Sequence, residues 1–545
     1  MKHILIFLVS ALAVSAQIVP DATEVDVIVR FKPGISQLAK SRYQARGARI
    51  GRNLPVINAT VIRIPASDLP LLQQDADVEM AELDQIVKAN AWDGTYDYGW
   101  MSLLQASSAD QKFNQTGKGV VVALIDSGIT PHADFHNAIV YAESFIPNVQ
   151  STVDEYGHGT LVAGIVTGDA KSSRKDPYQV RGIAPDVNLV NLRVLDKDGA
   201  GRDSSVIAAI DRAISLRNSK QIRVINLSLG RPVTTKCEKD PLCQAVQKAW
   251  EAGIVVVVSA GNEGRNNSAG TNGYATVSSP GNSPFVITVG AINTKGTLTT
   301  TDNVMTSFSS KGPTILDHIA KPDLVAPGNR IVSTVSTGST LDMVYSSNRV
   351  TNIGKSGDKD GESGVQGYFQ LSGTSLSAPF VAGAVALLLE QSDSEKLALT
   401  PDQIKARLML TATKLPATKY SVTDPFTGNI YQLENNIFTV GAGSLDIVKA
   451  LSSKLTSTGS AQSPRVTYNS VTKIANFVGS TTAVWGDSGV WGWTAVWGDT
   501  AVWGDTAVWG DTAVWGDTAV WGDTAVWGDS AIWGEITKLA INGEN

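Results

Sequence analysis

The chain lacks a surplus of basic charge. Its 545 residues include 45 Lys and Arg against 51 Asp and Glu, which gives a formal net charge of -6 at pH 7. Domains that bind nucleic acid normally carry a basic patch or surplus, so this balance argues against a nucleic-acid partner. Hydrophobic residues make up 43% of the chain, which is enough for globular cores, and the length predicts two to four domains.

Long apolar runs are also missing, because beyond the N-terminus no segment reaches the roughly 20 apolar residues of a membrane span. The N-terminus itself has a basic start, a short apolar run at residues 4–9 and a small-residue end at Val14-Ser15-Ala16. This pattern is typical of an export signal. We therefore expect a signal peptide at residues 1–16, a secreted product and no transmembrane segment.

Cysteine and histidine are both scarce. In an extracellular protein we expect Cys237 and Cys243 to pair and close a small loop, with two free thiols as the alternative because spacing does not fix geometry.

Once the signal peptide is removed, a histidine that acts as a general base must be one of the remaining four. These are His132, His136, His158 and His318.

Residues 24–90 predict a small α+β unit. Their pattern follows the order strand–helix–strand–strand–helix–strand, which is the order of ferredoxin-like domains. The segments are Val25–Phe31, Ile35–Arg46, Val56–Ile64, Asp68–Asp75 and a closing strand or two over Val78–Val87.

Continuous apolar runs follow, and they indicate a parallel sheet that is covered on both faces. The runs are Gly119–Gly128, Val187–Leu195, Ile222–Leu229, Ile254–Val258 and Phe285–Val289, and helix-like segments lie at Thr160–Thr167, Ser204–Arg217 and Pro241–Glu251. This alternation predicts a doubly wound α/β domain. Ligands bind at the carboxyl ends of the strands in such sheets, where Asp126 and Asn262 fall.

The last part of this domain has weaker signals. Residues 334–370 are rich in Ser, Gly, Thr and Asp and predict a long surface insertion. Thr400 is expected to cap a helix that continues to Ala412. We expect the globular domain to end near Leu455 and residues 456–480 to form a linker.

The C-terminal part is a repeat in which Trp recurs every six residues over 481–536. In an extended chain this period keeps Trp on one face, whereas in a helix each repeat would turn the position through about 600°. We expect an array of short strands, with disorder as the alternative. Such Trp residues would either bind a cell surface or carbohydrate, or form a stack with a structural task alone.

Asp126, His158 and Asn262 stand where a parallel sheet would present them. Asp126 ends a buried strand, His158 lies between two Gly residues at the start of an apolar helix, and Ser375 begins another. Each has a simpler explanation, namely a turn cap, a structural histidine and a helix N-cap. Asn262 fits either a turn residue or a donor to a developing oxyanion.

In combination these residues indicate one protein family. The order Asp126, His158, Ser375 and the segments around them resemble the subtilisin-like serine peptidases, or subtilases. The matching segments are Ala123–Gly128, Gly157–Thr160, Ser259–Asn262 and Gly373–Pro379. The resemblance covers roughly residues 95–450. The preceding region, with Val29–Gly34, resembles the inhibitory propeptide of the same family.

The resemblance implies a serine endopeptidase that acts on proteins or peptides and needs no catalytic cofactor. Ser375 would be the nucleophile, His158 the general base, Asp126 its partner and Asn262 an oxyanion donor. A structural Ca²⁺ is implied by the family alone, and the metal ligands are unknown.

Substrate binding is carried over to two extended stretches that would hold a substrate strand between them. They are Gly199-Ala200-Gly201 and Ser228-Leu229-Gly230. Glu263 would lie near the primary pocket, where it would favour a basic substrate side chain. Arg231 departs from the family pattern, because a small residue is common there.

The implied product is a precursor whose own propeptide inhibits it. The segments are a signal peptide at 1–16, a propeptide at 17–91, a peptidase domain at 92–455, a linker at 456–480, the Trp repeat at 481–536 and a C-terminal end at 537–545. Cleavage would fall close to Asn90-Ala91-Trp92. The alternative function is a catalytically silent surface-binding protein that works through its Trp repeat.

Overall fold

The computed structural model describes most of the chain between residues 24 and 478. The described ranges are 24–89, 113–173, 179–268, 270–297, 302–350, 367–424, 427–455, 459–469 and 474–478. The expected signal peptide, the expected cleavage region at 90–92 and the Trp repeat therefore lie outside the described residues. The fold divides into two units, one reaching Asn53 and resuming at Ala59–Asp84, and the other comprising Leu54–Asn58 and the chain from Gln85 onward.

The first unit is an antiparallel sheet with two helices. Its elements are β1 (Glu24–Phe31), α1 (Ser36–Ala45), β2 (Arg49–Leu54), β3 (Ala59–Pro65), α2 (Leu69–Gln73) and β4 (Val78–Leu83). The strand order β2-β3-β1-β4 is that of a ferredoxin-like βαββαβ unit. Its core includes Val29, Ala39, Ile62 and Leu72, each at most 1% exposed.

The second unit contains the remaining described strands. They are β5 (Ile86–Ala89), β6 (Val121–Asp126), β7 (Ile139–Ser144), β8 (Asn188–Arg193), β9 (Ala200–Arg202), β10 (Ile222–Leu227), β11 (Leu229–Gly230), β12 (Val255–Ser259), β13 (Ile287–Asn293), β14 (Val304–Met305), β15 (Leu324–Pro327), β16 (Ile331–Thr334), β17 (Arg349–Val350), β18 (Tyr368–Leu371), β19 (Lys419–Thr423), β20 (Ile430–Glu434), β21 (Arg465–Asn469) and β22 (Ile474–Val478). The central sheet has the order β14-β13-β12-β10-β6-β8-β7, with β15 paired to β13. Its pairs are parallel except for β13 with β14.

The described residues of the second unit also form helices. They are α3 (His158–Thr167), α4 (Asp203–Lys220), α5 (Pro241–Glu251), α6 (Thr340–Val344), α7 (Thr374–Ser394), α8 (Pro401–Thr411) and α9 (Ile447–Ser452). Helices α3 and α7 pack on each other, as do α4 and α5, and both pairs contact the sheet. Strands β6, β12 and β13 are buried along their whole length, as a sheet covered on both faces requires. The predicted α/β fold with a mainly parallel sheet is confirmed.

Part of the region expected to be a surface insertion is built into the fold. Helix α6 and strand β17 lie within it, and β17 pairs with β18. Leu341 and Val350 are buried, and the Leu341 N–H donates to the Tyr156 carbonyl at 2.9 Å. The polar composition was misleading because turns and backbone hydrogen bonds, rather than an apolar run, fix this segment.

Residues 459–466, which the sequence assigns to a linker, belong to the folded domain. Ala461 and Val466 are at most 1% exposed, and the Val466 N–H donates to the His318 carbonyl at 2.7 Å. The Ser463 hydroxyl donates to Asp323 Oδ1 at 2.6 Å. The predicted domain end near Leu455 is therefore too early, because these contacts are with residues far back in the chain.

Two helices of the second unit test sequence expectations directly. The Thr400 hydroxyl caps α8 by accepting from the Gln403 N–H at 3.2 Å, and Gln403 accepts from the Thr400 N–H in return. Helix α7 is long enough and, with a mean hydropathy of 1.2, apolar enough to cross a membrane, which the sequence expectation did not anticipate. Since 94% of that apolar window is buried inside the domain, α7 is a core helix.

Candidate active site

Asp126, His158 and Ser375 form one chain of hydrogen bonds. Asp126 ends β6, His158 begins α3, and Ser375 is the second residue of α7. His158 Nδ1 lies 2.8 Å from Asp126 Oδ1, and His158 Nε2 lies 3.0 Å from Ser375 Oγ. None of the three residues is more than 2% exposed. In this geometry the imidazole can take the hydroxyl proton while the carboxylate holds the other ring nitrogen.

Ser375 is not the cap of its helix. The N-cap of α7 is Gly373, whose φ of 146° suits glycine, and Thr374 is the first helical residue. Ser375 thus lies in the first turn, where backbone N–H groups have no helical acceptor and the helix dipole favours negative charge. The capping explanation is therefore wrong, and this position suits the stabilisation of an oxyanion.

A close backbone approach brings His158 to Asp126. A Cβ atom on Gly159 would lie 2.1 Å from the Gly128 carbonyl oxygen, so only glycine lets the start of α3 lie against the loop after β6. The spacing of Gly residues around the histidine has a steric cause.

Two buried residues tie these loops together. The Ser127 hydroxyl donates to Asp154 Oδ1 at 2.8 Å and accepts from the Gly159 N–H at 2.9 Å. Asp154 also accepts from the Gly157 N–H at 2.7 Å and from the N–H and hydroxyl of Thr160 at 2.8 Å. Burial raises the pKa of Asp154, and these hydrogen bonds oppose the rise. Sequence reasoning missed Ser127 and Asp154, although each stands within four positions of a candidate catalytic residue.

Asn262 is held by one end of its amide. Its Oδ1 accepts from the Thr374 N–H at 3.0 Å and from the Thr374 hydroxyl at 3.1 Å. With the oxygen fixed in this way, the NH₂ group is directed away from Thr374 as a donor beside the N-terminus of α7. The sequence did not predict that Thr374, which directly precedes Ser375, orients the Asn262 amide.

Residues 86–89 occupy the middle of a three-stranded antiparallel sheet, β11-β5-β9. The register pairs are Ile86 with Arg202, Val87 with Gly201, Lys88 with Ala200 and with Gly230, and Ala89 with Leu229. The Ala89 N–H also donates to the Gly199 carbonyl at 3.1 Å. The two stretches that the sequence assigns to substrate binding thus pair with an extended segment of the chain itself.

Ser228 connects this sheet to Ser375. Its hydroxyl donates to the Ser375 carbonyl oxygen at 2.7 Å and accepts from the Asn226 side-chain NH₂ at 2.9 Å. The residue just before Leu229 therefore contacts the backbone of Ser375, so the strand that pairs with β5 is joined directly to the start of α7.

Glu263 follows Asn262 and is partly buried. Its N–H donates to the Ser310 hydroxyl at 3.0 Å. Burial raises the pKa of Glu263 to about 7, so its carboxyl group changes charge near neutral pH. This makes it sensitive to a positive charge brought into its surroundings.

The other three histidines have different surroundings. His132 Nδ1 accepts from the Asp134 N–H at 3.1 Å, as a helix cap does. His136 Nδ1 lies 2.8 Å from Asp169 Oδ2 at the surface, and burial lowers the pKa of His318 to about 3. Of the described histidines, His158 has the partners that a general base needs.

Cys237 and Cys243 form a disulfide with their Cα atoms 5.4 Å apart. Asp240, between them, accepts from the Leu242 N–H at 2.9 Å and caps α5. Within the described ranges no three His, Cys, Asp or Glu side chains come close enough together to hold a metal ion. The calcium that the family implies therefore has no such cluster in the described part of the chain.

Comparisons with known proteins point to one family. Residues 117–429 match the profile of the Subtilase family. The serine protease AprX of Bacillus subtilis is 38% identical over 58% of this chain, which spans 64% of its length. Subtilisin E of Bacillus subtilis is 31% identical over 76% of this chain and 93% of its own. The crystal structure of fervidolysin from Fervidobacterium pennivorans, a keratinolytic enzyme related to subtilisin, has a TM-score of 0.57 at 21% identity, covering 81% of this chain and 62% of its own, and shows the shared fold.

The mainly parallel α/β fold, together with these matches, places the chain among the serine peptidases of the subtilisin type. The family profile matches more than half of the chain, and subtilisin E is matched over nearly its whole length. The chain belongs to the subtilase family of serine endopeptidases, which need no catalytic cofactor.

Proposed function

We propose that the chain is a secreted serine endopeptidase that is made as a self-inhibited precursor. The observation that carries this proposal is His158, which bridges Asp126 at 2.8 Å and Ser375 at 3.0 Å. Membership of the subtilase family supports the same reaction.

The reaction is acyl transfer. Ser375 Oγ attacks the peptide carbonyl carbon while its proton passes to His158 Nε2, and Asp126 stabilises the resulting imidazolium. The C–N bond then breaks as His158 gives that proton to the leaving amine. Water, deprotonated by His158, hydrolyses the ester and releases the acid product.

The negative charge on the carbonyl oxygen needs donors that are already in place. The Ser375 N–H at the start of α7 and the Asn262 NH₂ group supply two. Because Thr374 fixes the Asn262 amide, no reorganisation is needed as the charge develops.

The precursor state rests on β5. A segment that pairs on both sides like a substrate strand would block the cleft, as a bound product does. We infer that residues 17–91 act as the propeptide and that cleavage falls close to Asn90-Ala91-Trp92.

Casein hydrolysis, with and without a serine-directed covalent inhibitor, tests the activity. We expect the wild type to hydrolyse casein and to be labelled on Ser375, and the Ser375→Ala variant to do neither. Ser394→Ala, at the other end of α7, is the matched control and should behave as wild type. A folded wild-type sample that neither hydrolyses casein nor takes up the inhibitor would refute the proposal.

Expression of the same two proteins tests processing and export. The Ser375→Ala precursor should reach the medium uncut after signal removal and begin at Gln17, whereas the wild type should begin near Ala91. Release of a free mature domain from Ser375→Ala would count against self-cleavage.

The Trp repeat favours a second candidate, a surface-binding protein. The tail at 481–536 lies outside the described residues, and its regularly spaced Trp side chains suit stacking on sugars. Binding of full-length Ser375→Ala to cell-wall polysaccharide, lost when 481–536 is deleted, would support a surface role in addition to catalysis. A protein that binds a surface without any catalytic activity would, in addition, neither hydrolyse casein nor react with the serine-directed inhibitor.

A further inference from the structure

Arg231 places a buried charge beside the substrate-strand sheet. It is 3% exposed, and its Nε lies 2.8 and 3.0 Å from the two carboxylate oxygens of Asp203. Its Nη2 lies 2.7 Å from Asp240 Oδ1, and both aspartates are fully buried. Burial lowers the pKa of Arg231, but the two negative charges outweigh this and hold the guanidinium protonated.

Arg231 lies directly opposite Val87 when the pairing of β11 with β5 is continued. Leu229 pairs with Ala89 and Gly230 with Lys88, and continuing this register by one residue beyond the end of β11 places Arg231 opposite Val87.

The directions of the backbone hydrogen bonds along this strand are consistent with this register. While Gly230 pairs with β5, the Arg231 backbone exchanges hydrogen bonds of 3.0 and 2.9 Å with Ser279 on the other edge, as alternation along a strand requires.

Side chains that are level across an antiparallel sheet share a face. Val87 and Arg231 therefore point to the same side of the sheet, and Val87 is fully buried there whereas Lys88, on the other side, is exposed. The side chain at the position of Val87 enters a pocket, and the next one faces solvent.

Strand β9 brings no side chain to this pocket but brings one of the acids. Val87 pairs with Gly201, where a Cβ atom would lie 2.4 Å from the Val194 carbonyl oxygen. Two residues on, the Asp203 N–H donates to the Gln85 carbonyl at 2.9 Å. Asp203 therefore holds both the strand and the guanidinium.

The place of this pocket relative to the scissile bond follows from the same register. The residue after Ala89 in a substrate strand would be level with Ser228, whose hydroxyl contacts Ser375. The acyl residue of the scissile bond is thus one beyond the position of Ala89. Val87 takes the position of the fourth residue before the bond, counting the acyl residue as the first.

We propose that Arg231 is a specificity-determining residue. Together with Asp203 and Asp240 it closes the pocket for the fourth substrate residue and restricts that residue to a short, branched aliphatic side chain. This inference rests on the proposed peptidase function and deepens it.

The ion-pair cluster closes the pocket because it cannot move aside cheaply. Asp240 is also fixed by the Leu242 N–H at 2.9 Å and by the Ser279 hydroxyl at 2.9 Å. A larger ring in the pocket would separate buried charges from their partners, which is strongly unfavourable. A valine-sized side chain leaves the cluster intact.

The test uses mature wild-type enzyme and peptides with the sequence Xaa-Lys-Ala-Asn-Ala, where Xaa is Val, Phe or Lys. We expect kcat/KM for the Val peptide to exceed that for the Phe and Lys peptides by roughly tenfold or more. Equal rates for Val and Phe would overturn the inference, while hydrolysis of all the peptides would leave the peptidase function standing. If the wild type cleaved neither peptides nor casein, the proposed function itself would fail.

A double variant tests the residue. Arg231→Met with Asp203→Asn removes the Arg231–Asp203 ion pair while Asp240 keeps its hydrogen bonds from the Leu242 N–H and the Ser279 hydroxyl, and it should bring the Val-to-Phe ratio toward one. Arg223→Met, which removes an arginine from a surface ion pair with Asp393, is the control and should keep the wild-type ratio. A folded double variant with an unchanged ratio would refute the part assigned to Arg231, and the wild-type ratio decides the pocket's preference even if the double variant fails to fold.

Discussion

The hydroxyl of Ser228 donates to the backbone carbonyl of Ser375 at 2.7 Å. Four residues after Ser375, inside α7, stands Pro379, which has no N–H to donate to that carbonyl in the helical pattern. Ser228 therefore supplies the hydrogen bond that the proline withholds. A residue of the substrate-pairing segment thereby fixes the backbone of the proposed nucleophile.

Replacement of Ser228 by Ala should slow catalysis. The Ser375 carbonyl would lose its buried donor, at a cost of about 1–3 kcal/mol, which we expect as a fall in kcat of roughly tenfold with a smaller change in KM. Ser228→Thr keeps a hydroxyl and serves as the control. An Ala variant with wild-type kcat would show that the contact does not position Ser375.

Replacement of Asn262 by Ala should lower kcat by roughly 10²–10³, the magnitude measured for the oxyanion donor of subtilisin, with KM little changed. The reason is that the NH₂ group acts on charge present only in the transition state. Asn262→Asp has nearly the same shape without the donor and should lose a comparable factor. Steady-state kinetics on one peptide check both, and a loss confined to KM would contradict the assigned part.

Glu263 should make stability depend on pH. Its pKa is raised from 4.5 to about 7 by burial, so the folded state favours the protonated form. The contribution of Glu263 to stability is therefore full below pH 4.5 and is lost as the pH rises through about 7. Urea unfolding of Ser375→Ala, with and without Glu263→Gln, measures this effect at pH 5 and pH 8. The Gln variant should lose less stability between these values, and parallel losses would contradict the prediction.

Asp323 should be a critical residue of the core. Its carboxylate lies 2.7 Å from Lys321 Nζ and 3.1 Å from Lys405 Nζ, and all three side chains are fully buried. Burial alone would raise the pKa of Asp323, but the two ammonium charges outweigh it and lower the pKa. Asp323→Asn would leave two buried cations facing each other, and we expect a loss of about 3–5 kcal/mol in the free energy of unfolding.

Asp393→Asn is the control for this core variant, because Asp393 pairs with Arg223 at the surface. It should cost at most about 1 kcal/mol. Urea unfolding of both variants in the inactive Ser375→Ala background provides the comparison. Similar small losses would show that the buried lysines do not depend on Asp323.

The sequence predicts the buried centre of the sheet well and its edge poorly. Continuous apolar runs mark β6, β8, β10 and β12 to within about three residues, because central parallel strands are buried on both faces. The sequence pattern does not predict strand β7, because this strand is partly exposed along its length and has no continuous apolar run. The same limit explains β2 of the first unit, where charged residues at Arg49 and Arg52 hide the strand.

In the candidate site, too, some features can be predicted from the sequence and others cannot. Asp126, His158, Asn262 and Ser375 stand out by residue type and local motif, and the fold brings the first, second and fourth into one hydrogen-bonded chain. Their catalytic roles remain predictions. The supporting contacts cannot be predicted from local pattern, since Ser228 and Ser375 are 147 residues apart and meet only in the folded domain.

The connection of β5 to the domain whose sheet it completes has a consequence for how activity would appear. A segment tethered by the chain meets its groove at a high effective concentration that does not change when the protein is diluted. Once the tether is cut, the same segment competes as a free molecule, and its occupancy falls with dilution. The proposed enzyme would therefore stay silent in a crowded secretory route and become active as the cut product spreads into a larger volume.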